Sequence, residues 1–248
     1  MNTPVTVNTY WSLPFIEVNL LVFANLLGAL LLGLLVGYER SYHGRAAGMR
    51  TYGIVCMASA ALTVFAGYPG FWWGGIEGGA APVDPTRVVQ GIVTGVGFLG
   101  AGVIMKEGMN ISGLTTAASI WASSAIGVLV GVGFYAAAIL LALLSAGLMM
   151  WGSKLEMRLP SRRALGVTLG FASGVEPDEV GMRAHMRHWG YSVAEGSLHI
   201  ARHHHQVTWQ FVMVANTSKP EAGSLFELSR RLRQLDGVDT LQLSHARN

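Results

Sequence analysis

Five apolar stretches of membrane length fill the first 151 residues of this chain, and they constrain its fold more than any other feature. A helix needs roughly 20 apolar residues to cross the hydrocarbon core of a bilayer, so each stretch predicts a transmembrane helix. Two glycines, Gly131 and Gly133, favour a tight break between the last two stretches over one long tilted helix. The predicted spans are about Phe15 to Tyr38, Tyr52 to Tyr68, Thr86 to Met105, Leu114 to Val130 and Val132 to Trp151.

Charge divides the chain into two parts. Charged residues make up 12% of the 248 residues, against about 25% in soluble domains, and they become frequent only from Lys154 onward. This distribution predicts a transmembrane domain over residues 1–151, a basic linker over 152–164 and a soluble domain over 165–248. The single cysteine, Cys56, excludes an intrachain disulfide.

Basic residues between the spans predict the orientation. The tail before the first span has no lysine or arginine, whereas the loop from Glu39 to Arg50 carries three arginines. The loop from Ala66 to Pro85 again has none, and basic residues return at Lys106 and from Lys154 onward. The positive-inside rule therefore places the N-terminus outside and the C-terminal domain in the cytoplasm. We expect no cleavable signal peptide, because the N-terminus lacks a basic segment.

The third span is unusually rich in glycine. Glycine costs about 1 kcal/mol relative to alanine inside a helix, but in lipid small residues let helix backbones approach closely. The composition predicts a helix-packing or partner interface, or alternatively a helix that lines a narrow path. The five glycines of this span are Gly91, Gly95, Gly97, Gly100 and Gly102.

The soluble part shows alternating strand and helix patterns. A strand from Leu165 to Phe171 precedes a helix that Pro177 opens and Gly190 ends. Two strands, Tyr191 to Ile200 and Val207 to Val214, flank a histidine-rich turn. A second helix, opened by Pro220 and closed by Gly237, leads to a last strand from Val238 to Ser244. The order βαββαβ predicts an α+β ferredoxin-like domain.

Charged residues at the edges of the spans are candidate functional residues. Glu39 is costly at a helix end in lipid unless it is paired, and Arg40 or Arg50 is its natural partner. Such a cluster is typical of an ion path or a partner surface, but equally of an interfacial ion pair that fixes topology. Asp84 is predicted to cap the third span, with Pro85 first in the helix and Arg87 as its ion-pair partner.

Other polar motifs carry weaker signals. Thr115 and Thr116 can cap the fourth span or bond across to the glycine-rich helix. The cluster of His199, His203, His204 and His205 is more typical of a solvated hairpin turn than of a metal site, since no cysteine or carboxylate completes it. The sequence contains no known catalytic or nucleic-acid-binding motif, so we expect no enzyme activity, no cofactor and no nucleic-acid partner.

Four segments of the membrane part together resemble the MgtC/SapB family of bacterial inner-membrane proteins. They cover most of the region from Leu20 to Gly131 in the family order. The soluble tail matches only in architecture, and its presence favours the MgtC type. The segments are GLLVGYER (Gly33 to Arg40), RAAGMRT (Arg45 to Thr51), DPTRVVQGIVTGVGFLGAGVIMKEG (Asp84 to Gly108) and GLTTAASIWASSAIG (Gly113 to Gly127).

The resemblance implies a five-span, multi-pass inner-membrane protein with a cytoplasmic ACT-like domain. It also implies a link to growth in low magnesium, to magnesium homeostasis, to virulence and survival inside host cells, and to restraint of the F-type ATP synthase. The family pattern marks residues without assigning their chemical roles. These are Glu39, Arg40, Gly48, Arg50, Thr51, Asp84, Arg87, the glycines of the third span, Gly113, Thr115 and Thr116.

Three functional hypotheses follow. The favoured one is a non-enzymatic regulatory membrane protein that packs its small-residue helix surfaces against a second copy, with a dimer favoured, or against the F-type ATP synthase or another membrane protein. The alternative is a cation transporter or channel, related to magnesium, that an oligomer forms. A third hypothesis, by analogy of fold, is that the soluble domain binds a small ligand.

Overall fold

A computed structural model describes residues 7–74, 84–107, 110–158, 164–203, 206–216 and 225–245 of the chain. The chain divides into two compact units. The first comprises Met1–Met105 and Gly113–Ser153, and the second comprises Lys106–Ser112 and Lys154–Asn248.

The first unit is all helical and contains the five expected spans. Five helices are long and apolar enough to cross a membrane, which confirms the predicted number and positions. A short 3₁₀ helix, Pro69–Gly74, follows the second span. The helices are α1 (Val7–Tyr10), α2 (Leu13–Tyr42), α3 (Met49–Gly67), α4 (Pro85–Val103), α5 (Leu114–Gly131) and α6 (Tyr135–Arg158).

Helix α3 packs against both α2 and α5, while α4 packs mainly against α5. Glycines make these contacts close. A Cβ atom added to Gly33 of α2 would stand 2.6 Å from the carbonyl oxygen of Tyr52, and one added to Gly127 of α5 would overlap the carbonyl oxygen of Cys56. Backbones therefore touch at both interfaces of α3, as small residues allow in membrane bundles.

The predicted break between the last two spans is confirmed. Helix α5 ends at Gly131 and α6 begins at Tyr135. Gly133 in the connection has φ +87°, a left-handed conformation that favours glycine. Helix α6 continues to Arg158, so the first part of the predicted linker over 152–164 is helical, and residues 159–163 lie outside the described residues.

The second unit has the predicted α+β architecture. A five-stranded antiparallel sheet contains the path β4-β6-β3-β7, the ferredoxin-like arrangement, and β5 also pairs with β6. A separate hairpin pairs β1 with β2. The elements are β1 (Met105–Glu107), β2 (Asn110–Ser112), β3 (Ala164–Phe171), α7 (Glu179–His188), β4 (Tyr191–Val193), β5 (His199–His203), β6 (Gln206–Ala215), α8 (Leu225–Leu232) and β7 (Val238–His245).

One face of the sheet forms the core with the two helices. Strands β3 and β6 place alternate apolar side chains on that face, including Leu169 and Phe211. The helices cover it with Met182 and Met186 of α7 and with Leu228 of α8, among others. Each helix therefore buries one apolar face against the sheet.

Two details of the second unit differ from the prediction, and one lies outside the described residues. Helix α7 starts one residue after its N-cap Asp178, so Pro177 precedes the helix instead of opening it, because the Asp178 side chain accepts bonds from the N–H groups of Val180 and Gly181. The predicted strand from Tyr191 to Ile200 is two strands, β4 and β5, which both pair with β6. Pro220 lies outside the described residues.

Candidate functional site

The C-terminal end of α2 carries a buried ion pair. The Arg40 Nε lies 2.5 Å from Glu39 Oε2, and the two side chains are only 8% and 7% exposed. His43, one helical turn later, places its Nδ1 3.0 Å from Glu39 Oε1. The structure therefore selects Arg40 as the partner of Glu39, and it adds His43, which the i, i+4 spacing on a helix could have indicated.

Arg50, the other predicted partner of Glu39, points elsewhere. It is exposed in the first turn of α3 and makes no ion pair with the residues that the structure describes. A basic side chain at a helix end in this position reaches water or lipid headgroups. The buried pair at the end of α2 and Arg50 at the start of α3 therefore do not belong to one contact network.

The start of α4 carries the second charged group. Asp84 is the N-cap of α4, and its Oδ1 accepts hydrogen bonds from the Thr86 hydroxyl (2.6 Å) and the Thr86 N–H (2.9 Å). These two bonds hold the pKa of Asp84 below its usual range, and the bond from the Thr86 hydroxyl makes the larger contribution. Arg87 is 85% exposed and its Nε lies 3.8 Å from Asp84 Oδ2, a loose surface contact. The predicted cap is present.

The five charged candidates do not form one cluster. Glu39, Arg40 and Arg50 lie where α2 ends and α3 begins, which we call the α2–α3 end of the bundle. Asp84 and Arg87 lie where α3 has ended and α4 begins, the α3–α4 end. Helix α3 has 19 residues, so about 28 Å separates these ends. A direct interaction between the two groups within one chain is therefore excluded.

The glycines of α4 face outward within one chain. Ideal Cβ atoms at Gly91, Gly95, Gly97 and Gly102 would meet no atom of the described residues within 4 Å. The fifth, Gly100, faces inward, and its Cβ would lie 3.6 Å from the Ala117 Cβ of α5. Apart from Gly100, the glycines of this span therefore pack against no other helix within one chain, where the close packing is carried by glycines of α2, α3 and α5.

A hydroxyl network joins α3 to α5, and sequence reasoning did not identify it. The Tyr52 hydroxyl hydrogen-bonds to Ser119 Oγ, and Ser123 Oγ donates to the Tyr52 carbonyl oxygen at 2.9 Å. Farther along, the Oγ atoms of Ser59 and Ser124 lie 2.8 Å apart. All of these residues are buried. The signal in the sequence was the i, i+4 spacing of Ser119 and Ser123.

The remaining family-motif residues shape helix ends. Gly48 is the N-cap of α3 and lies against Ser41, whose Oγ accepts a bond from the Met49 N–H at 2.8 Å. Gly113, the N-cap of α5, has φ +87°, and a Cβ there would overlap the Val103 carbonyl oxygen. Glycine is therefore required at the entry to α5.

The three threonines of the motif play lesser parts. Thr51 and Thr115 are exposed and Thr116 is buried. None of their side chains hydrogen-bonds to another described residue, so neither Thr115 nor Thr116 caps α5, whose N-cap residue is Gly113.

No metal site is found in the part of the chain that the structure describes. There, no three histidine, cysteine or acidic side chains lie close enough to hold an ion. His199 and His203 begin and end β5, and His204 and His205 lie outside the described residues. The backbone pairing of His203 with Gln206 agrees with a hairpin turn at this position.

Comparisons with known proteins place the membrane part in one family. The MgtC family profile matches residues 26–158, more than half of the chain. The chain is 47% identical over 110 residues to Protein MgtC of Brucella abortus and 47% identical over 109 residues to Protein MgtC of Salmonella typhimurium. Each match covers 44% of this chain and 42% of the relative's own length.

No solved structure matches the chain. The sequence matches fall on the spans that hold the buried Glu39–Arg40 pair, the Asp84 cap and the glycine-rich helix α4. The chain is thus a multi-pass membrane protein that belongs to the MgtC family.

Proposed function

We propose that this chain is a non-enzymatic regulatory protein of the MgtC type, which acts by packing α4 against a second copy of itself in the membrane. The observation that carries the proposal is the outward surface of α4. Around Phe98, that surface presents glycine and polar residues where a lipid-facing helix ordinarily presents large apolar ones.

The outward stripe of α4 consists of Gly91, Gly95, Phe98 and Gly102. These positions follow the spacing i, i+4, i+7, i+11, so they share one helix face, which is separate from the face of the buried Ile92 and Val96. By contrast, the exposed faces of α2 and α6 carry large side chains. These include Leu20, Phe23, Leu27 and Leu31 of α2, and Leu140, Leu143, Leu144 and Leu148 of α6.

Polar groups beside this stripe also favour a covering partner. Gln90 is exposed in the first half of α4, and its side chain has no hydrogen-bond partner among the described residues. An unsatisfied amide in contact with lipid is unfavourable, whereas a neighbouring helix offers it partners. The Thr94 hydroxyl is already satisfied, since it donates to the Gln90 carbonyl oxygen at 2.8 Å.

The shape of the stripe supports a second copy as the occupant. The exposed Phe98 ring lies between grooves that Gly95 and Gly102 leave open. A surface with one ridge between two grooves complements an identical surface, as a two-fold symmetric dimer requires. We infer a dimer for this reason.

The arrangement of charge favours regulation over transport through one chain. The charged residues lie at opposite ends of the bundle, and the α3 interfaces between them are occupied by backbone contacts and by hydroxyls that bond to each other. The alternative, a cation channel or transporter, would need a path between subunits, for which the exposed Gln90 is the polar group on α4.

The physiological role that we propose rests on the family. Membership in the MgtC family supports a role in adaptation to low magnesium, in intracellular survival, and in restraint of the F-type ATP synthase. We place the protein in the inner membrane with its N-terminus outside, because the arginines of the α2–α3 loop obey the positive-inside rule. The C-terminal unit would then be a cytoplasmic, ACT-like module.

Substitution of Gly95 by leucine tests the proposal. Neither Gly95 nor the matched control Gly28 of α2 has an atom of the described residues within 4 Å of an ideal Cβ, so the first carbon that Gly95→Leu or Gly28→Leu adds meets open space within one chain. We expect Gly95→Leu alone to abolish dimers of the purified protein. In low-magnesium medium, we expect a strain that lacks the protein to have a raised cytoplasmic ATP concentration. Expression of Gly28→Leu in that strain should lower the concentration to the wild-type level, whereas expression of Gly95→Leu should leave it raised.

Two results would oppose the proposal. Dimers that survive Gly95→Leu, with ATP restored, would show that the α4 stripe is not the interface. Cation flux into liposomes that contain the purified protein, lost in Gln90→Leu but retained in Gly28→Leu, would favour the transport alternative.

A further inference from the structure

We propose that the membrane unit binds the carbonyl group of a neutral amphiphile in a cavity at its α3–α4 end. The cavity has a volume of about 390 Å³, within the range of small-molecule sites. All five spanning helices contribute to its wall, and it lies on the inward side of α4, away from the stripe of the proposed dimer. The inference is therefore independent of the dimer.

A buried amide forms part of this wall. Asn25 of α2 is only 4% exposed, and its Oδ1 accepts a hydrogen bond from the Tyr135 hydroxyl at 2.7 Å. Its Nδ2 has no hydrogen-bond partner among the described residues. A buried amide with one end unpaired is destabilising, so a site that keeps one calls for an explanation such as a ligand.

The amide end selects the ligand chemistry. The free Nδ2 is a donor with two hydrogens, and it requires an acceptor such as a carbonyl oxygen. Were the amide assigned in the opposite sense, one of its two polar ends would still lack a partner. The Tyr135 oxygen keeps a lone pair that can accept a second bond from a ligand hydroxyl.

The rest of the wall selects a neutral and largely apolar molecule. Among the described residues that line the cavity, none carries an aspartate, glutamate, lysine, arginine or histidine side chain. A charged ligand would lose its hydration without gaining a counter-charge. Val88, Val89 and Val132 form apolar wall instead, which suits the carbon skeleton of a membrane-soluble molecule.

Two kinds of membrane molecule share this chemistry. A quinone presents ring carbonyls, and a diacylglycerol presents ester carbonyls beside a hydroxyl. Both dissolve in the bilayer and lack a charged headgroup, so the experiment must include one probe of each kind.

Direct binding to the full-length protein tests the proposal. The protein is placed in nanodiscs of a diether phospholipid, which lacks ester carbonyls, and binding of radiolabelled decylubiquinone and radiolabelled dioctanoylglycerol is measured separately. We expect saturable binding of at least one probe. Asn25→Leu should weaken it by about tenfold or more, because the ligand carbonyl then has no donor. Asn19→Leu, at an exposed asparagine of the same helix, should not change it.

A second variant tests the cavity itself. Val89→Phe should fill part of the volume and reduce binding, with the melting temperature of the unliganded protein unchanged or raised. Asn25→Leu removes an unpaired amide end but also the acceptor of the Tyr135 hydroxyl, so these effects oppose each other and we expect little change in that melting temperature. A purely structural asparagine would instead lower it.

Each outcome is decisive. Binding of the quinone alone or of the glyceride alone identifies the source, and binding of both leaves the shared carbonyl as the recognised group. Binding of neither probe overturns the proposal, as does binding that Asn25→Leu and Val89→Phe leave unchanged. A melting temperature that falls in Asn25→Leu, without any loss of affinity, also overturns it.

Discussion

The hydroxyl of Tyr52 on α3 hydrogen-bonds to Ser119 on α5, in the buried interface where those two helices meet. Because Ser119 Oγ donates to the Thr116 carbonyl oxygen at 2.9 Å, the Tyr52 hydroxyl is the donor to Ser119. One interhelical bond thus joins a tyrosine near the start of α3 to the first turns of α5.

Tyr52→Phe should destabilise the protein by about 1 kcal/mol, which is the usual contribution of an interhelical hydrogen bond to the stability of a membrane bundle. The bond is buried, so water cannot replace it. The measurement is unfolding of the purified protein by titration with sodium dodecyl sulfate. Tyr38→Phe, at an exposed tyrosine of α2, is the control, and an equal loss in both variants would contradict the prediction.

Glu39→Gln should lower the free energy of unfolding by about 3 kcal/mol or more, because it leaves the buried Arg40 guanidinium without a counter-charge. Glu17→Gln makes the same chemical change at an exposed position of the same helix, and we expect a loss below about 0.5 kcal/mol there. The same detergent titration compares the two variants. If both variants lost only a little stability, the Arg40 guanidinium would have to be satisfied by water or by another acceptor, which would contradict the prediction.

Gly127→Ala should destabilise the bundle by about 1–3 kcal/mol, since the added methyl group would overlap the Cys56 carbonyl oxygen and push α5 away from α3. Gly28→Ala adds the same methyl group to open space on α2 and should be neutral or stabilising. Thermal unfolding in detergent distinguishes them. The idea fails if Gly127→Ala is as stable as Gly28→Ala.

The Asp84 cap should make stability depend on pH in the acid range. The pKa of Asp84 is lowered in the folded state, so the charged cap contributes fully above the unfolded value of about 3.9, and its contribution is lost as the pH falls through the lower folded value. The melting-temperature difference between the native protein and Asp84→Ala should therefore be constant from neutral pH to about pH 5 and shrink below about pH 4.

Thr86→Ala provides the matched test of this shift. It removes the hydroxyl that makes the leading contribution to the low pKa of Asp84. The stabilisation by the cap should then decline at a higher pH than in the native protein. An unchanged pH profile would show that the Thr86 hydroxyl does not set the pKa.

Leu228→Ala should destabilise the C-terminal unit by about 2–5 kcal/mol, because it opens a cavity under α8. Phe226→Ala removes a larger side chain from the same helix but is expected to cost little, since Phe226 is exposed. Hydrogen exchange of β6 peptides in the full-length protein reports the difference. Faster exchange in both variants would indicate that Phe226 is covered in solution.

The hydropathy of the chain was enough to locate the spans and the change to an α+β unit. Apolar length, the break at Gly131 and Gly133, and the Asp84–Pro85 cap depend on interactions within a few residues, and all three agree with the structure. The ferredoxin-like order followed from periodicity, but the division of Tyr191 to Ile200 into two strands did not, because it depends on how β6 pairs along its length.

Local pattern could not assign which side of each helix is buried. The glycine density of α4 indicated a contact surface, yet in one chain the close contacts belong to Gly33 and Gly127 on other helices. Residue spacing records which side chains share a face, and it contains no information on which neighbouring helix that face meets. That choice depends on the summed packing of all helices in the bundle.

Composition, apolar length and charge distribution therefore established that this protein is a membrane bundle followed by an α+β unit, because these properties act residue by residue and need no neighbour far along the chain. The pairing of Glu39 with Arg40 instead of Arg50, the Tyr52–Ser119 bond and the half-paired Asn25 amide were settled only by tertiary packing. The Tyr52–Ser119 bond in particular requires α3 and α5 to approach closely, which Gly127 allows where its backbone touches that of Cys56.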